Sequence, residues 1–218
     1  MSLETEERIY FQYGIKETEY LKGRDPLLDR AVDKIGHIYR EVDDDIFSSV
    51  IRHIIGQQIS TPAQETIWKR LRDKIGAVNV DNIYTLQEDE LQRLGITFRK
   101  AGYIRGFAKM VKDGELSIES LRGMSDNEVI KELTTVKGIG PWTAEMVLTF
   151  SLQRPDVVSH GDLAIRRGMM MLYGLEDISR EEFRKYKRLY SPYGTVASLY
   201  LWAIAGGALQ GAADGPVD

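Results

Sequence analysis

The sequence predicts an all-α protein of about ten short helices joined by short loops of the usual lengths. Helix start and stop signals recur along the whole chain. Between them, apolar residues such as Val50, Ile51, Ile54 and Ile55 recur every three or four positions, which is the helical period. Strand signals are weak, because only IYFQYGI near the start and VVS at 157–159 look extended.

Each predicted helix start has a capping residue or a proline that suits the first turn. A Ser/Thr-x-x-Glu/Gln capping box pairs the first residue with the third helical one. The predicted starts are, in chain order, Asp25 with Pro26, Asp45, the box Thr61–Gln64 of a helix ending at Gly76, the box Ser125–Glu128, Pro141, Asp162 and the box Ser179–Glu182.

Composition excludes several classes of site. The 218 residues include no cysteine, which rules out disulfides, thiolate zinc sites and cysteine-held iron–sulfur clusters. The three histidines, His37, His53 and His160, form no metal-ligand motif. The polar N-terminus and the lack of a long apolar run predict an intracellular protein without a membrane span.

The net charge of −4 is unevenly distributed. Residues 1–50 carry 12 acidic and 7 basic side chains, whereas residues 51–218 carry 21 acidic and 22 basic ones. A protein that coats long nucleic acid is therefore not expected, although a small basic footprint is compatible with this balance.

The segment VKGIGPWTAEMVLTF predicts two helices joined by a glycine turn. The first helix ends near Thr134 and the second begins at Pro141. Gly138 and Gly140 allow a sharp turn, and their N–H groups at a helix start suit a phosphate oxygen. Taken alone, the two glycines are more typical of a simple helix–helix turn.

The following segment, SHGDLAIRRGMMMLYG, places Asp162 at the start of another helix. An aspartate there is first of all a helix cap. The helix dipole also favours its ionised form, and an anion is what a developing oxocarbenium ion requires. Arg166 and Arg167 follow within a turn, where they suit either phosphates or a solvated helix face.

Three ordered motifs resemble the helix-hairpin-helix base-excision DNA glycosylases of the HhH-GPD superfamily, and within it 3-methyladenine DNA glycosylase II. They are IIGQQIS at 54–60, KGIGPWTAEM in the hairpin and GDLAIRRG around the aspartate. The resemblance covers about residues 25–207 and implies two helical lobes with the active-site cleft between them.

We expect a central lobe at about 45–155, with its hairpin at 130–152, a second lobe from 1–44 and 156–210, and a disordered tail at 211–218. We expect the compact form of this family, without the extra N-terminal domain of longer bacterial members.

The resemblance implies that Asp162 is the catalytic aspartate and that Trp142, Tyr193 and Met146 line the base pocket. At the position of Trp142, family members that also cut the DNA strand have a lysine that forms a Schiff base. An indole lacks that amine, so a monofunctional enzyme using water is expected. Without the resemblance, Trp142 would be read as a core residue that pins the hairpin.

Further residues are implied to contact DNA. Phe98 matches the apolar wedge that fills the gap left by a flipped base, although a hydrophobic staple at the helix start is the local alternative. The remaining implied contacts are Gln57, Gln58, Lys137, Gly138, Gly140, Thr143, Arg166 and Arg167. The main-chain carbonyls of Thr134, Val136 and Ile139 match positions that hold a structural Na⁺ or K⁺ in such hairpins, and no other cofactor is expected.

The resemblance thus implies a monomer that acts on double-stranded DNA and removes alkylated purines such as 3-methyladenine or 7-methylguanine. Two alternatives stay open. One is a glycosylase of the same fold for an oxidised, deaminated or mismatched base. The other is a non-catalytic protein that binds damaged DNA, although such a protein would be expected to lose Asp162.

Overall fold

The structure, a computed structural model, describes residues 8–209. Within them the chain forms twelve α-helices, one 3₁₀ turn and two very short strands, which confirms the predicted all-α class. The elements are β1 (Ile9–Tyr10), α1 (Ile15–Lys22), α2 (Pro26–Ile35), β2 (Glu41–Val42), α3 (Ile46–Gly56), α4 (Thr61–Ile75), α5 (Val80–Thr85), α6 (Glu88–Arg93), α7 (Phe98–Lys112), the 3₁₀ turn (Glu119–Gly123), α8 (Asp126–Leu133), α9 (Pro141–Phe150), α10 (Leu163–Tyr173), α11 (Arg180–Tyr190) and α12 (Gly194–Ala205).

The two extended segments expected from the sequence are only partly strands. Of the first, β1 pairs antiparallel to β2, and the Phe11 N–H just after it donates to the Arg40 carbonyl at 2.8 Å. The second prediction is wrong, because Val157–Ser159 is not a strand. The Val157 N–H donates to the Thr195 hydroxyl at 3.0 Å, and the Ser198 hydroxyl donates to the Val157 carbonyl at 2.9 Å. Side chains of α12 thus satisfy a backbone that would otherwise need a neighbouring strand.

Most of the predicted helix starts are confirmed. Asp25 and Asp45 cap α2 and α3, and the boxes Ser125–Glu128 and Ser179–Glu182 are both formed. The box at Thr61 is wrong, because the cap of α4 is Ser60 and its side chain makes no capping hydrogen bond. Gln64 instead donates from Nε2 to the Arg52 carbonyl at 2.7 Å, which joins α4 to α3.

The described residues fall into two compact units, and the first comprises 8–42 and 153–209. Its core centres on α12, where every residue from Gly194 to Leu201 is buried. Helix α10 crosses α12 at Gly168, where an added Cβ would lie 2.1 Å from the Leu201 carbonyl oxygen. Side chains of α1, α2, α10 and α11 complete this core, including Leu21, Leu28, Met169, Phe183 and Tyr190.

The second unit comprises residues 43–152. Helix α3 runs through its core with Val50, Ile51, Ile54 and Ile55 buried, as their spacing predicted. The Phe47 ring of α3 stacks on Phe107 of α7 at a centroid distance of 5.1 Å. The same unit contains the end of α3, the start of α7 and the α8–α9 hairpin.

Two expectations concern the ends of the chain and the membrane. In the described part of the chain, no helix is both long and apolar enough to cross a membrane. The tail predicted at 211–218 lies outside the described residues.

Candidate active site

Asp162 is the N-cap of α10, as its position in the sequence predicted. Its Oδ1 accepts the N–H groups of Ala164 and Ile165, both at 2.9 Å. The residue is only 7% exposed. These bonds satisfy two of the N–H groups that a helix start leaves without partners, and they fix the carboxylate at the positive end of the helix.

Trp202 of α12 also bonds this carboxylate and was missed by sequence reasoning. Its indole Nε1–H donates to the same Asp162 Oδ1 at 3.2 Å. The Arg40 guanidinium lies over the Trp202 ring, 5.9 Å from its centroid. Three N–H donors therefore converge on one oxygen, which orients the group and stabilises its negative charge. The sequence signal was a tryptophan in an apolar helix, whose N–H needs a partner when it is half-buried.

Basic side chains follow Asp162 along α10. Arg167 is exposed, whereas Arg166 is half-buried and its Nη2 lies 3.4 Å from Asp177 Oδ1. Burial lowers the pKa of His160, and the charges of Arg166, Arg180 and Arg184 lower it further. Three arginines therefore lie close enough to His160, two residues before Asp162, to disfavour its charged form.

Tyr193 is the N-cap residue of α12 in the same unit. Its ring meets Tyr20 edge-to-face, with the centroids 5.1 Å apart. Tyr20 is held in turn by its hydroxyl, which donates to the Ser191 carbonyl at 2.7 Å, and the Arg24 guanidinium lies over its ring. A half-buried aromatic face is thus fixed by a second aromatic side chain.

The hairpin between α8 and α9 has the predicted limits. Leu133 ends α8, and Pro141 begins α9 after the N-cap Gly140. Gly138 has a φ of +92°, and an added Cβ there would lie 2.2 Å from the Tyr103 ring. Gly140 has an ordinary φ of −97° and open space around it. Lys137 is exposed beside them. The turn thus requires glycine at 138 for two reasons and at 140 for neither of them.

Gln57 lies at the end of α3 and is bonded to this hairpin. Its Nε2 donates to the Gly138 carbonyl at 2.9 Å and to the Thr143 hydroxyl at 3.1 Å. The structure therefore gives Gln57 and Thr143 a role within the fold that the sequence did not show. Gln58 is exposed and has a φ of +57°, so the chain turns sharply immediately after Gln57.

Trp142 lies in the first turn of α9 and is half-buried. The His53 ring meets it edge-to-face, with a centroid distance of 6.3 Å. His53 also stacks on Phe150 at 5.8 Å, so it lies in a row of three aromatic rings. Sequence reasoning assigned His53 no role, because α3 and α9 are distant in the chain. Met146 is 3% exposed, and its predicted place in a base pocket stays a prediction.

Phe98 is the first residue of α7 and 57% of its surface is exposed. The cap of α7 is Thr97, whose hydroxyl accepts the Lys100 N–H at 3.4 Å. A hydrophobic staple uses the residue before the cap, which is the buried Ile96. The local alternative for Phe98 is therefore wrong, because Phe98 follows the cap and its ring projects from the helix start.

Lys100 is a second residue that the sequence did not single out. It is 7% exposed, and its Nζ donates to the carbonyls of Ile55 at 2.8 Å and Gln57 at 2.6 Å. Burial lowers the pKa of this ammonium group. Nothing local in GITFRKAGYI marks this lysine as buried, because its partners lie at the end of α3.

The hairpin carbonyls of Thr134, Val136 and Ile139 were predicted to bind a monovalent cation. Backbone carbonyls in a tight turn are suitable donors for such a hard ion. The Val136 carbonyl accepts the Ile139 N–H at 3.0 Å and has a second lone pair available. In residues 8–209, no group of three or more histidine, aspartate or glutamate side chains could hold a metal ion.

The candidate residues divide between the two units. Asp162, Tyr193, Arg166, Arg167 and Trp202 belong to the first. The second holds Trp142, Met146, Phe98, Lys100, Gln57, Gln58, Lys137, Gly138, Gly140 and Thr143.

Two helices joined by a glycine-containing turn, followed by an aspartate that caps a later helix, identify a helix-hairpin-helix protein. The chain belongs to the HhH-GPD superfamily of base excision DNA repair proteins, whose family model matches residues 51–192. The family named from the three sequence motifs is thereby confirmed.

Individual relatives agree with this family. The 3-methyladenine DNA glycosylase Mag1 of Schizosaccharomyces pombe, solved in complex with abasic DNA, is 29% identical with a TM-score of 0.80, over 86% of this chain and 95% of that one. A DNA-3-methyladenine glycosidase structure from Bacillus halodurans is 32% identical with a TM-score of 0.77, over 94% of this chain and 95% of that one. A putative DNA-3-methyladenine glycosylase of Bacillus subtilis is 28% identical over 74% of this chain, which spans 59% of that relative's length.

Proposed function

We propose that this protein is a monofunctional DNA glycosylase that hydrolyses the N-glycosidic bond of alkylated purines in double-stranded DNA. The observation that carries the proposal is Asp162, a carboxylate fixed at a helix start by three N–H donors. The names of the relatives support the class of substrate, since they include 3-methyladenine glycosylases.

The proposed reaction needs an anion more than it needs an acid. Alkylation at N3 or N7 makes the purine cationic, so the base leaves with the bonding electron pair and becomes neutral. Positive charge then develops at C1′, where the carboxylate of Asp162 stabilises it electrostatically. Water forms the new bond to C1′ and releases its proton to solvent, which leaves an abasic site and an intact strand.

The aromatic residues suit a cationic base. The faces of Trp142 and Tyr193 would each attract such a base by about 0.5–2 kcal/mol. His53 packs edge-to-face with Trp142, and Tyr20 packs in the same way with Tyr193. These contacts restrict the orientation of both rings. At position 142, where strand-cutting family members have the Schiff-base lysine, this chain has an indole without an amine, which supports the absence of strand cleavage.

The DNA contacts proposed here begin with the hairpin. The N–H groups of Gly138 and Gly140 and the side chain of Lys137 would bind backbone phosphates, with Arg166 and Arg167 adding charge. The exposed Phe98 would fill the gap left by the flipped base, and the exposed Gln58 would reach the same groove. Gln57 and Thr143 would act by holding the hairpin that makes these contacts.

A monovalent cation at the carbonyls of Thr134, Val136 and Ile139 would add positive charge beside the bound phosphate. No chemical step depends on it. The test is to measure DNA affinity in K⁺, Na⁺ and tetramethylammonium salts at equal ionic strength. A loss of affinity only in tetramethylammonium, which is too bulky for the carbonyls, supports the site. Equal affinity in all three salts argues against it.

We propose further that the protein acts as a monomer inside the cell, where its DNA substrate lies. The test of the whole function is incubation with methylated duplex DNA, followed by analysis of released bases and of strand integrity. Released 3-methyladenine or 7-methylguanine with an intact strand is the expected result. Binding without release would identify a damage-binding protein instead, and release only from oxidised, deaminated or mismatched DNA would change the lesion class.

A further inference from the structure

Four hydrogen bonds join the start of α7, the end of α3 and the hairpin. Lys100 Nζ donates to the carbonyls of Ile55 and Gln57, at 2.8 and 2.6 Å. The Gln57 side chain donates to the Gly138 carbonyl and to Thr143 of the hairpin. These bonds form a continuous path within one compact unit, from the first turn of α7 to the glycine turn.

A direct contact closes the triangle. The Tyr103 ring, one turn after Lys100 in α7, lies so close to Gly138 that no Cβ fits between them. The hairpin therefore rests on α7 through Tyr103 and is tied to α3 through Gln57. Lys100 joins α7 to the same end of α3, so each of the three segments is fixed by the other two.

The physical reason for a buried lysine is the end of α3. The last carbonyls of a helix have no intrahelical partners, and the helix dipole makes this end negative. An ammonium group satisfies two carbonyls there at once. An apolar side chain of the same length would fill the space but would leave those carbonyls without a buried donor. Burial of the charge lowers the pKa of Lys100, so the contact is made at a cost in desolvation.

Phe98 depends on this arrangement for its position. The residue lies two positions before Lys100, and its exposed ring is not held in place by burial. Where the ring points is therefore set by where α7 begins relative to the hairpin. A side chain that is pushed into a base stack has to resist the stack closing again, and the hairpin is the part expected to grip the DNA backbone.

We propose that Lys100 is a positioning residue that holds the wedge Phe98 at a fixed distance from the hairpin, with Gln57 as the connecting side chain. The proposal rests on the proposed function, because it takes Phe98 as the wedge. The alternative is that Lys100 only caps α3 and stabilises the fold. The positioning role and the purely structural role predict different effects of replacing Lys100 on base release from different DNA duplexes.

The experiment compares two duplexes that carry 7-methylguanine, one opposite cytosine and one opposite an abasic-site analogue. Unpairing is part of the cost of flipping only in the first duplex, so a wedge matters more there. Single-turnover base release is measured for the wild type, Lys100→Met and Phe98→Ala. Lys109→Met is the matched control, because Lys109 lies on the same helix but is exposed and pairs with Asp113.

We expect Lys100→Met and Phe98→Ala each to slow release from the paired duplex about tenfold, equivalent to about 1.4 kcal/mol in the barrier, with less than about a twofold effect on the unpaired one. The double variant should be no slower than the slower single variant, because both changes remove one function. Equal losses on both duplexes, or effects that add independently, would overturn the proposal. Lys109→Met should match the wild type on both.

A second variant covers the case in which Lys100→Met does not fold. Gln57→Leu removes the next bond of the path and keeps the lysine, so it should show the same selective loss on the paired duplex. Lys100→Arg keeps a cation within reach of the carbonyls and should restore at least part of the rate. No selective loss in Gln57→Leu would overturn the proposal.

Failure of the proposed function would be visible separately, as no base release by the wild type from either duplex. The positioning role is then read from 2-aminopurine placed beside an abasic-site analogue, whose fluorescence rises when the stack opens. At equal DNA occupancy, Lys100→Met should lower this rise as Phe98→Ala does. An unchanged rise would overturn the positioning role.

Discussion

The carboxylate of Asp162 owes its position to two kinds of donor. Ala164 and Ile165 are neighbours in sequence, so any aspartate at this helix start would make those bonds. Trp202 is 40 residues away and reaches the same oxygen only because α12 packs against α10. The local part of the site was therefore visible in the sequence, whereas the tertiary part was not.

Replacing Trp202 with phenylalanine tests this tertiary contact. The change removes the N–H donor and keeps most of the ring, and a hydrogen bond to a charged group contributes about 1.5–3 kcal/mol. We expect single-turnover base release to slow by about tenfold or more if that bond orients Asp162 for the reaction.

The control is Trp68→Phe, the same substitution at a buried tryptophan of α4 in the other unit. It should leave the rate of base release close to that of the wild type. The account of Trp202 is wrong if the two variants have similar midpoint temperatures of thermal unfolding and Trp202→Phe releases bases as fast as Trp68→Phe.

The same contrast between local and long-range contacts explains what else the sequence could not show. Nothing in the sequence singled out Lys100, and Gln57 was predicted to contact DNA, not the hairpin. Their partners lie 43 to 86 residues away in the chain, and pairings of that separation leave no periodic signal. The boxes at Ser125 and Ser179 were predictable because donor and acceptor are three residues apart.

The hairpin shows how a turn sequence constrains an element. Its two glycines look equivalent in the motif KGIGPW, but only Gly138 has a positive φ and a ring against its Cα. Gly140 has the extended backbone that a residue before proline favours. A reader of the sequence could predict the turn but could not predict which glycine is irreplaceable.

Gly138→Ala should therefore destabilise the hairpin by about 2 kcal/mol or more, through a left-handed backbone and a collision with Tyr103. Gly140→Ala is the matched control and should cost less than about 1 kcal/mol. Chemical denaturation gives the free energies of unfolding, and titration with abasic-analogue DNA gives the affinities. Equal effects of the two alanines on both quantities would contradict the assignment.

The charge of the whole molecule limits how it can hold DNA. A net charge of −4 does not favour binding over a long stretch, and the proposed phosphate contacts use few cations. Those on the hairpin and α10 are Lys137, Arg166 and Arg167. Each phosphate contact that releases a counterion steepens the salt dependence of affinity by a slope of about 0.9.

We therefore expect the logarithm of the association constant to fall with the logarithm of salt concentration with a slope of about −3. Fluorescence anisotropy with abasic-analogue duplex between low and physiological salt measures it. Lys137→Met should make the slope shallower by about one. A wild-type slope steeper than about −6 would show a larger basic footprint than the one proposed.

The proposed chemistry depends most directly on the negative charge at position 162. Asp162→Asn keeps the shape of the side chain and an oxygen that can cap α10, but it removes the charge. The decisive measurement is single-turnover release of 7-methylguanine from duplex DNA by this variant, together with its affinity for abasic-analogue duplex. We predict release slowed at least about a hundredfold with affinity within about threefold of the wild type. Release within about tenfold of the wild-type rate would contradict the assignment of Asp162.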